Sequence, residues 1–293
     1  MGRKDDMILV TGATGQIGSK VVQNLLKMGV PVRAFVRDEK TFDDFEDSSL
    51  EVVTGTFEDT QSIERAVEGV DQLFLAARDN PNQVAQHENV IKVAERCGVK
   101  HAVKLSAFGS SKNSPIALMR WHAETEGQLR NSKLSWTFLR PFLFMQNLLR
   151  SGKSVATRDT FSAPMGSDKF ALVDIRDIAE VAAKVLKDGN HSSKVYTLTG
   201  PSAVSYYEAA EYLSSILKRS IKYKPVSQEE FYQKLLSEGT PSWRAHDLAY
   251  IVQAYPDDKK NLVTNDINLL LNRSARSIQT FLSDYQTNYQ GEN

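Results

Sequence analysis

The chain has 293 residues, and its 36 lysines and arginines balance 36 aspartates and glutamates, so the formal net charge is zero. With no excess of positive charge to steer it toward nucleic acid or an anionic membrane, neither partner is expected. The length suits one large domain, alone or with a smaller lobe. The single cysteine, Cys97, excludes an internal disulfide and suits a reducing, cytoplasmic compartment.

The amino terminus, Met1 to Asp6, has neither the apolar core of a signal peptide nor the Ser or Thr that myristoylation needs at position six. An apolar run then predicts a strand over 8–11, which breaks into Thr11-Gly12-Ala13-Thr14-Gly15-Gln16-Ile17-Gly18. Gly12 lets the chain turn sharply, Gly15 lets backbone approach a pyrophosphate, and Gly18 lets helix and strand pack closely. A helix over 17–28 with Val21, Val22, Leu25 and Leu26 on one face, and a strand over 32–36, complete a βαβ unit. This context points to a dinucleotide site in which Thr11, Gly12, Thr14, Gly15, Gln16, Ile17 and Gly18 contact the cofactor.

The second strand runs out at Arg37-Asp38, where the adenosine ribose of such a cofactor lies. An acidic side chain there would bond a free 2′-hydroxyl, whereas a guanidinium complements a 2′-phosphate. Arg37 comes first, which favours NADP(H), with Arg33 a weaker second cation; Asp38 keeps NAD(H) open. A strand over 51–54 leads to Asp59, a candidate for the adenine amino group, and then to a helix over 62–67. A strand over 72–76 ends in Ala76 and Ala77, small enough to let a cofactor pass. A helix over 83–96 carries Cys97 at its end, read here as a buried thiol. The strand over 102–106, the helix over 116–131 and the strand over 135–139 continue the alternation.

Six short apolar runs alternating with helices predict an α/β fold, a Rossmann-type doubly wound parallel sheet. Beyond Pro141 come a short helix over 144–149, a segment over 170–186, a strand over 195–198 and mostly helical patterns from 206 to 285. The expected division is a dinucleotide-binding domain over 1–150, with further sheet elements from about 168–200. A small, mostly helical lobe over 201–293 should cover the carboxyl ends of the strands. The longest apolar region, 134–149, contains Arg140, Pro141 and Gln146 and cannot cross a bilayer.

The glycine motif, Gly98-Val-Lys-His-Ala-Val-Lys-Leu-Ser106, His122-x-x-x-Glu126 and Trp136-Thr-Phe-Leu-Arg-Pro141 together resemble the NmrA-like atypical short-chain dehydrogenases. The similarity is greatest to the branch holding bacterial NAD(P)H:quinone reductases and triphenylmethane reductase, and it extends to Pro225-Val-Ser-Gln-Glu-Glu-Phe231 and Gly239-Thr-Pro241. It implies a monomeric or dimeric NAD(P)-binding protein with Gly12, Gly15, Gly18 and Arg37 at the cofactor. It says less about the substrate.

Ordinary short-chain dehydrogenases move a proton with a Tyr and a Lys four residues on, at the start of the helix after the fifth strand. Here that helix carries Trp121, His122 and Glu126 instead, and Tyr255 to Lys259 matches the spacing only far downstream, around Pro256. Direct hydride transfer to a quinone, a dye or another conjugated acceptor remains, because the cofactor carries that chemistry. The nicotinamide is expected near Ser106, Phe108, Pro141 and Phe142. A flat acceptor would stack on aromatic walls drawn from Phe108, Phe142, Phe144, Trp243, Tyr250 and Tyr255. His122 is the candidate proton donor, with Glu126 one turn on to orient it or favour its imidazolium; a purely structural helix-surface pair is the alternative. Asn147, polar among apolar neighbours, is a candidate contact for substrate or cofactor amide. Two other readings stay open: a non-catalytic NADP(H)-binding redox sensor, and an isomerase or epimerase that keeps its nicotinamide bound.

Overall fold

The computed structural model describes residues 7–42 and 47–291; the segment 1–6, on which the reading of the amino terminus rests, lies outside them. Its strands in chain order are β1 (Ile8–Val10), β2 (Val32–Val36), β3 (Leu50–Thr54), β4 (Gln72–Leu75), β5 (His101–Leu105), β6 (Ser135–Pro141), β7 (Thr160–Ala163), β8 (Lys169–Phe170), β9 (Lys194–Leu198), β10 (Val204–Ser205) and β11 (Lys222–Pro225). Helices α1 (Gly18–Lys27), α2 (Thr60–Val67), α3 (Gln83–Arg96) and α4 (Ala117–Asn131) connect the first six strands.

The chain forms two compact units. The first comprises residues 1–112, 121–141 and 176–197. It holds a seven-stranded sheet in the order β3-β2-β1-β4-β5-β6-β9, with every neighbouring pair from β3 to β6 parallel. Helices α1, α2, α3 and α4 supply the crossovers between successive strands except from β2 to β3, where Glu39–Phe42 forms a 3₁₀ turn. Chain order reverses between β1 and β4, so the carboxyl ends of these two strands flank the topological switch point, where ligands bind in open α/β sheets. Leu9, Leu73, Leu75 and Ala102 pack on one face with Ile63 and Val67 of α2 and Val90, Ile91 and Ala94 of α3, all buried. β3 is an edge strand, and its Glu51, registered opposite Arg33 of β2, pairs with that guanidinium at 2.7 Å. Arg33 also donates to the Ala66 and Glu68 carbonyls, so it is a structural cation and not a second phosphate ligand.

Cys97 corrects an expectation: it is exposed. Helical periodicity from Val90, Val93 and Ala94 points position 97 inward, but α3 stops at Arg96. Gly98 then turns through φ +84°, and the Val99 amide bonds the Ala94 carbonyl at 3.0 Å. This closure of the helix end buries Val99 where one more helical turn would have buried the thiol.

The second unit comprises residues 113–120, 142–175 and 198–293. Met145–Ser151 forms a 3₁₀ helix, where the sequence predicts a short helix over 144–149, and α5 (Gly152–Arg158) follows it directly. α6 (Ile175–Asp188) returns the chain to the first unit, where Lys187 reaches the Met28 carbonyl at the end of α1. The later helices of the second unit begin with α7 (Tyr206–Leu217), held by a capping box between Ser205 and Glu208. Among them β11 lies parallel to β7, a strand pair that the helical pattern of this region does not announce. Among the described residues no helix is long and apolar enough to cross a membrane.

Candidate functional site

The glycine segment lies immediately past β1, at the switch point. Thr11 is 1% exposed, and its hydroxyl lies 2.8 Å from the Ala76 carbonyl and accepts the Ala76 amide at 2.9 Å. It therefore ties the end of β1 to the end of β4. Its hydroxyl is committed to the sheet. Gly12 has φ +61°, and a Cβ there would stand 3.0 Å from the Ala76 carbonyl oxygen. A Cβ on Gly18 would stand 2.1 Å from the Gly12 carbonyl oxygen, so helix and loop can meet only with hydrogen at that position. Thr14, Gly15 and Gln16 are exposed at the tip, while Ile17 and Gly18 are buried behind them. No side chain caps α1, and its first turn carries no acidic residue. The Gly15 amide is taken by the Gly12 carbonyl at 2.9 Å and the Ser19 amide by the Gly15 carbonyl at 3.0 Å, so this end offers an external anion the amides between them and the positive end of the helix dipole.

Arg37 stands exposed directly after β2. The acidic residue it influences is Glu58, whose carboxyl is held below its usual range chiefly by a hydrogen bond from Gln86 and more weakly by the Arg37 charge. Asp38 bends back to accept the Lys40 amide at 3.1 Å. Asp59 caps α2 by accepting the Gln61 amide at 3.0 Å. Ala76 is buried and Ala77 partly buried.

At the carboxyl ends of β5 and β6 the backbone ladder continues past the strands. The Ser106 amide donates to the Leu139 carbonyl at 2.7 Å, and the Phe108 amide to the Pro141 carbonyl at 2.9 Å. These bonds bring Ser106, Phe108 and Pro141 together. Ser106 Oγ donates to Glu126 Oε1 at 2.7 Å, and the same carboxylate takes a forked pair from Arg140, at 2.8 and 2.5 Å, and a longer bond from Arg130 at 3.2 Å. Glu126 is only 1% exposed, so its charge is balanced by guanidinium groups and by the hydroxyl of Ser106.

His122 does not have the expected partner. Its Nδ1 lies 3.2 Å from Nζ of Lys104, a residue of β5 that is 1% exposed and also donates to the Leu105 carbonyl. Burial draws the Lys104 ammonium down to about 8, against the opposing charges of Glu126 and Asp79. His122 is held well below its ordinary value, first by burial and then by Lys104, His87 and Arg140. The ring is therefore a neutral acceptor toward Lys104, not an imidazolium supported by Glu126. It is also buried, which excludes the helix-surface pair.

Lys104 was visible as a charged residue inside the apolar run His101-Ala-Val-Lys-Leu105 of a central strand, but nothing local in the sequence assigns it a partner. Its depressed value makes a stability prediction. Between about pH 8 and 10.5 the unfolded chain binds a proton that the folded chain has released, so stability rises with pH across this window. The rise is at most about 3 kcal/mol. Urea denaturation at pH 7.5 and pH 10 should show this rise in the wild type relative to Lys104→Met, and equal pH dependence of the two would disprove it.

In the second unit, Phe142 is 2% exposed and stacks on Tyr255 at 4.7 Å, and Tyr255 is itself 5% exposed, its hydroxyl pushed up by burial. Both are core side chains of that unit, not cleft walls. Asn147 is exposed; the polar side chain buried among apolar neighbours is Gln146, which donates to Asp174 at 2.9 Å and accepts the Ile175 amide. The three-residue turn of the 3₁₀ helix buries Met145, Gln146 and Leu148, leaving Asn147 outside. Phe144 and Trp243 are partly buried, and so is Tyr250, which donates to Glu229 at 2.9 Å and stacks on His246.

A parallel sheet of this order with a glycine cradle at its switch point defines a dinucleotide-binding protein of the Rossmann class. Residues 4–281 match the model of the NmrA-like family, and the chain belongs to that family. It is 32% identical over 275 residues to the NAD(P)H azoreductase of Xenophilus azovorans, covering 94% of this chain and 96% of the relative. The Escherichia coli NADPH-dependent quinone oxidoreductase complexed with NADPH superposes with a TM-score of 0.84 at 28% identity, covering 96% of this chain and 100% of that one. The Citrobacter sp. triphenylmethane reductase complexed with NADP(H) gives 0.83 at 30% identity, covering 94% and 99%.

Proposed function

We propose that this protein is an NADPH-dependent reductase that delivers hydride to a quinone, an azo or triphenylmethane dye, or a related conjugated acceptor. The observation that carries the reading is the cradle itself, where Gly12, Gly15 and Gly18 keep the Thr14–Gln16 backbone and the uncapped end of α1 open to a pyrophosphate. The residues present fit a dinucleotide. The loop amides would hold the pyrophosphate, Ala76 and Ala77 would line its path, and Asp59 would meet the adenine. The segment Ser106 to Phe108, with Pro141, would flank the nicotinamide. When bound, the cofactor supplies the hydride; the protein supplies orientation and a site shielded from water.

α4 contains no tyrosine, which supports a reaction without the Tyr and Lys pair of ordinary short-chain dehydrogenases. The relatives' named activities, on azo compounds, quinones and triphenylmethane dyes, support an aromatic acceptor. Titration with NADPH and NADH, followed by a panel of these acceptors at the absorbance band of the reduced nicotinamide, tests the reading. Acceptor-dependent loss of NADPH is the expected result; saturable binding without turnover on any acceptor would make the protein a redox sensor.

Arg37 would set the cofactor preference by pairing with the 2′-phosphate. Arg37→Ala should then weaken NADPH binding by about 1.5–3 kcal/mol, as for a lost charge-assisted hydrogen bond, and leave NADH nearly unchanged. Equal losses for both dinucleotides in a fluorescence titration would refute the assignment.

A further inference from the structure

The reductase reading leaves one requirement unmet. Hydride addition to a quinone places an electron pair on oxygen, and that oxygen needs a proton. We propose that Lys104 and His122 form the relay that delivers it, with His122 touching the acceptor and Lys104 acting through the ring as the proton source. The inference rests on the reductase reading.

The hydrogen-bond arithmetic is specific. An ammonium has donors only, so Nδ1 of His122, facing Lys104 Nζ at 3.2 Å, must present its lone pair. A neutral ring in that state carries its proton on Nε2. The other groups around the pair do not compete for the ring. Glu126 of α4 is saturated by Ser106, Arg140 and Arg130, and His87 of α3 faces Thr125 at 3.4 Å. Asp79, after β4, and Glu126 act as charges favouring the ammonium, whereas Arg140 of β6 and His87 oppose a charge on the ring. Lys104 is 1% exposed and His122 8%, so a proton leaving Lys104 has the imidazole as its way out. Ser106, just past the end of β5 and two residues beyond Lys104, donates at 2.7 Å to Glu126, one turn on from His122, which ties the pair to the segment expected to flank the nicotinamide.

The step balances. As the C–H bond forms from the donated hydride, the electron pair moves to the acceptor oxygen, which takes the proton from His122 Nε2. The N–H bond at Lys104 breaks as Nδ1 accepts its proton. The pair is left as a neutral amine and an imidazole protonated at Nδ1. A proton from solvent at Nε2 then returns the Nδ1 proton to Lys104. With its ammonium drawn down to about 8, Lys104 is charged at neutral pH yet a far better proton donor than a free lysine.

A cationic triphenylmethane dye separates this role from the rest of the reaction, because hydride at its central carbon neutralises the cation and no proton is needed. Wild type, Lys104→Met and His122→Asn would be assayed with NADPH against a soluble benzoquinone and such a dye. The quinone-to-dye ratio of kcat/KM should fall at least tenfold in both variants. In the wild type the ratio should decline as pH rises through about 8, and in Lys104→Met it should be flat. Equal losses on both acceptors, or an unchanged ratio, would overturn the relay. An independent readout is the nitrogen-15 NMR of histidines in the wild-type protein without cofactor. His122 should show a neutral ring protonated at Nε2 at pH 7, and an Nδ1–H tautomer or an imidazolium would overturn the proposal. If neither acceptor oxidises NADPH, the reductase reading fails and the relay with it; turnover with an unmoved ratio removes the relay alone.

Discussion

Gly18→Ala should lower NADPH affinity by more than tenfold and reduce thermal stability at the same time. The added Cβ would lie 2.1 Å from the Gly12 carbonyl oxygen, 2.7 Å from its carbon and 3.2 Å from the Ala13 Cα. All three are backbone atoms of the loop that would hold the pyrophosphate, so relief requires moving the cradle. Overpacking typically costs about 1–3 kcal/mol, and backbone neighbours put this case at the upper end. Gly15→Ala offers a graded comparison, since its Cβ would meet the Gly12 carbonyl oxygen at 3.1 Å, a contact relieved by a few tenths of an ångström. Gly15→Ala should therefore melt closer to wild type than Gly18→Ala. Calorimetry of both variants with and without NADPH provides the check. Wild-type affinity in Gly18→Ala would show that the loop does not hold the dinucleotide.

Glu126→Ala should destabilise the protein by about 3–5 kcal/mol, the range for removing one partner of a buried ion pair. The carboxylate is 1% exposed and collects four hydrogen bonds, from Ser106, twice from Arg140 and from Arg130. Without it, Arg140, whose side chain is 26% exposed, loses its counter-charge, and the Ser106 hydroxyl loses its acceptor. Arg130→Ala should cost far less: its side chain is 41% exposed and its ion pair is the longer one, at 3.2 Å. Its remaining contribution is a guanidinium placed 5.1 Å from the Trp136 ring and 4.7 Å from that of Phe138. Urea denaturation of both variants at neutral pH measures the difference. A loss below about 1 kcal/mol in Glu126→Ala would mean that Arg140 finds solvent or another acceptor when the carboxylate is gone.

The alternation of short apolar runs with helical patterns, the turn at Gly12 and the close approach at Gly18 were legible from the amino-acid order because each depends on neighbours within a few residues. β2 occupies the residues 32–36 that its apolar pattern predicts, and α3 the residues 83–96. Arg37 and the glycine segment follow from that local pattern, since a strand end followed by a glycine turn and a helix sets their places. Tertiary structure decided what depends on distant partners. It put β9 at the edge beyond β6 and joined residues 142–175 to 198–293 in one unit. It also buried Phe142 against Tyr255, more than a hundred positions apart in the chain. The spacing of His122 and Glu126 showed that they share a helix face, but spacing cannot show which side chains that face meets. β5 presents Lys104 to the imidazole, while Ser106 just past β5 and Arg140 of β6 take the carboxylate, because a hydroxyl and a guanidinium brought in by the sheet bond a buried charge better than the neutral imidazole one turn away.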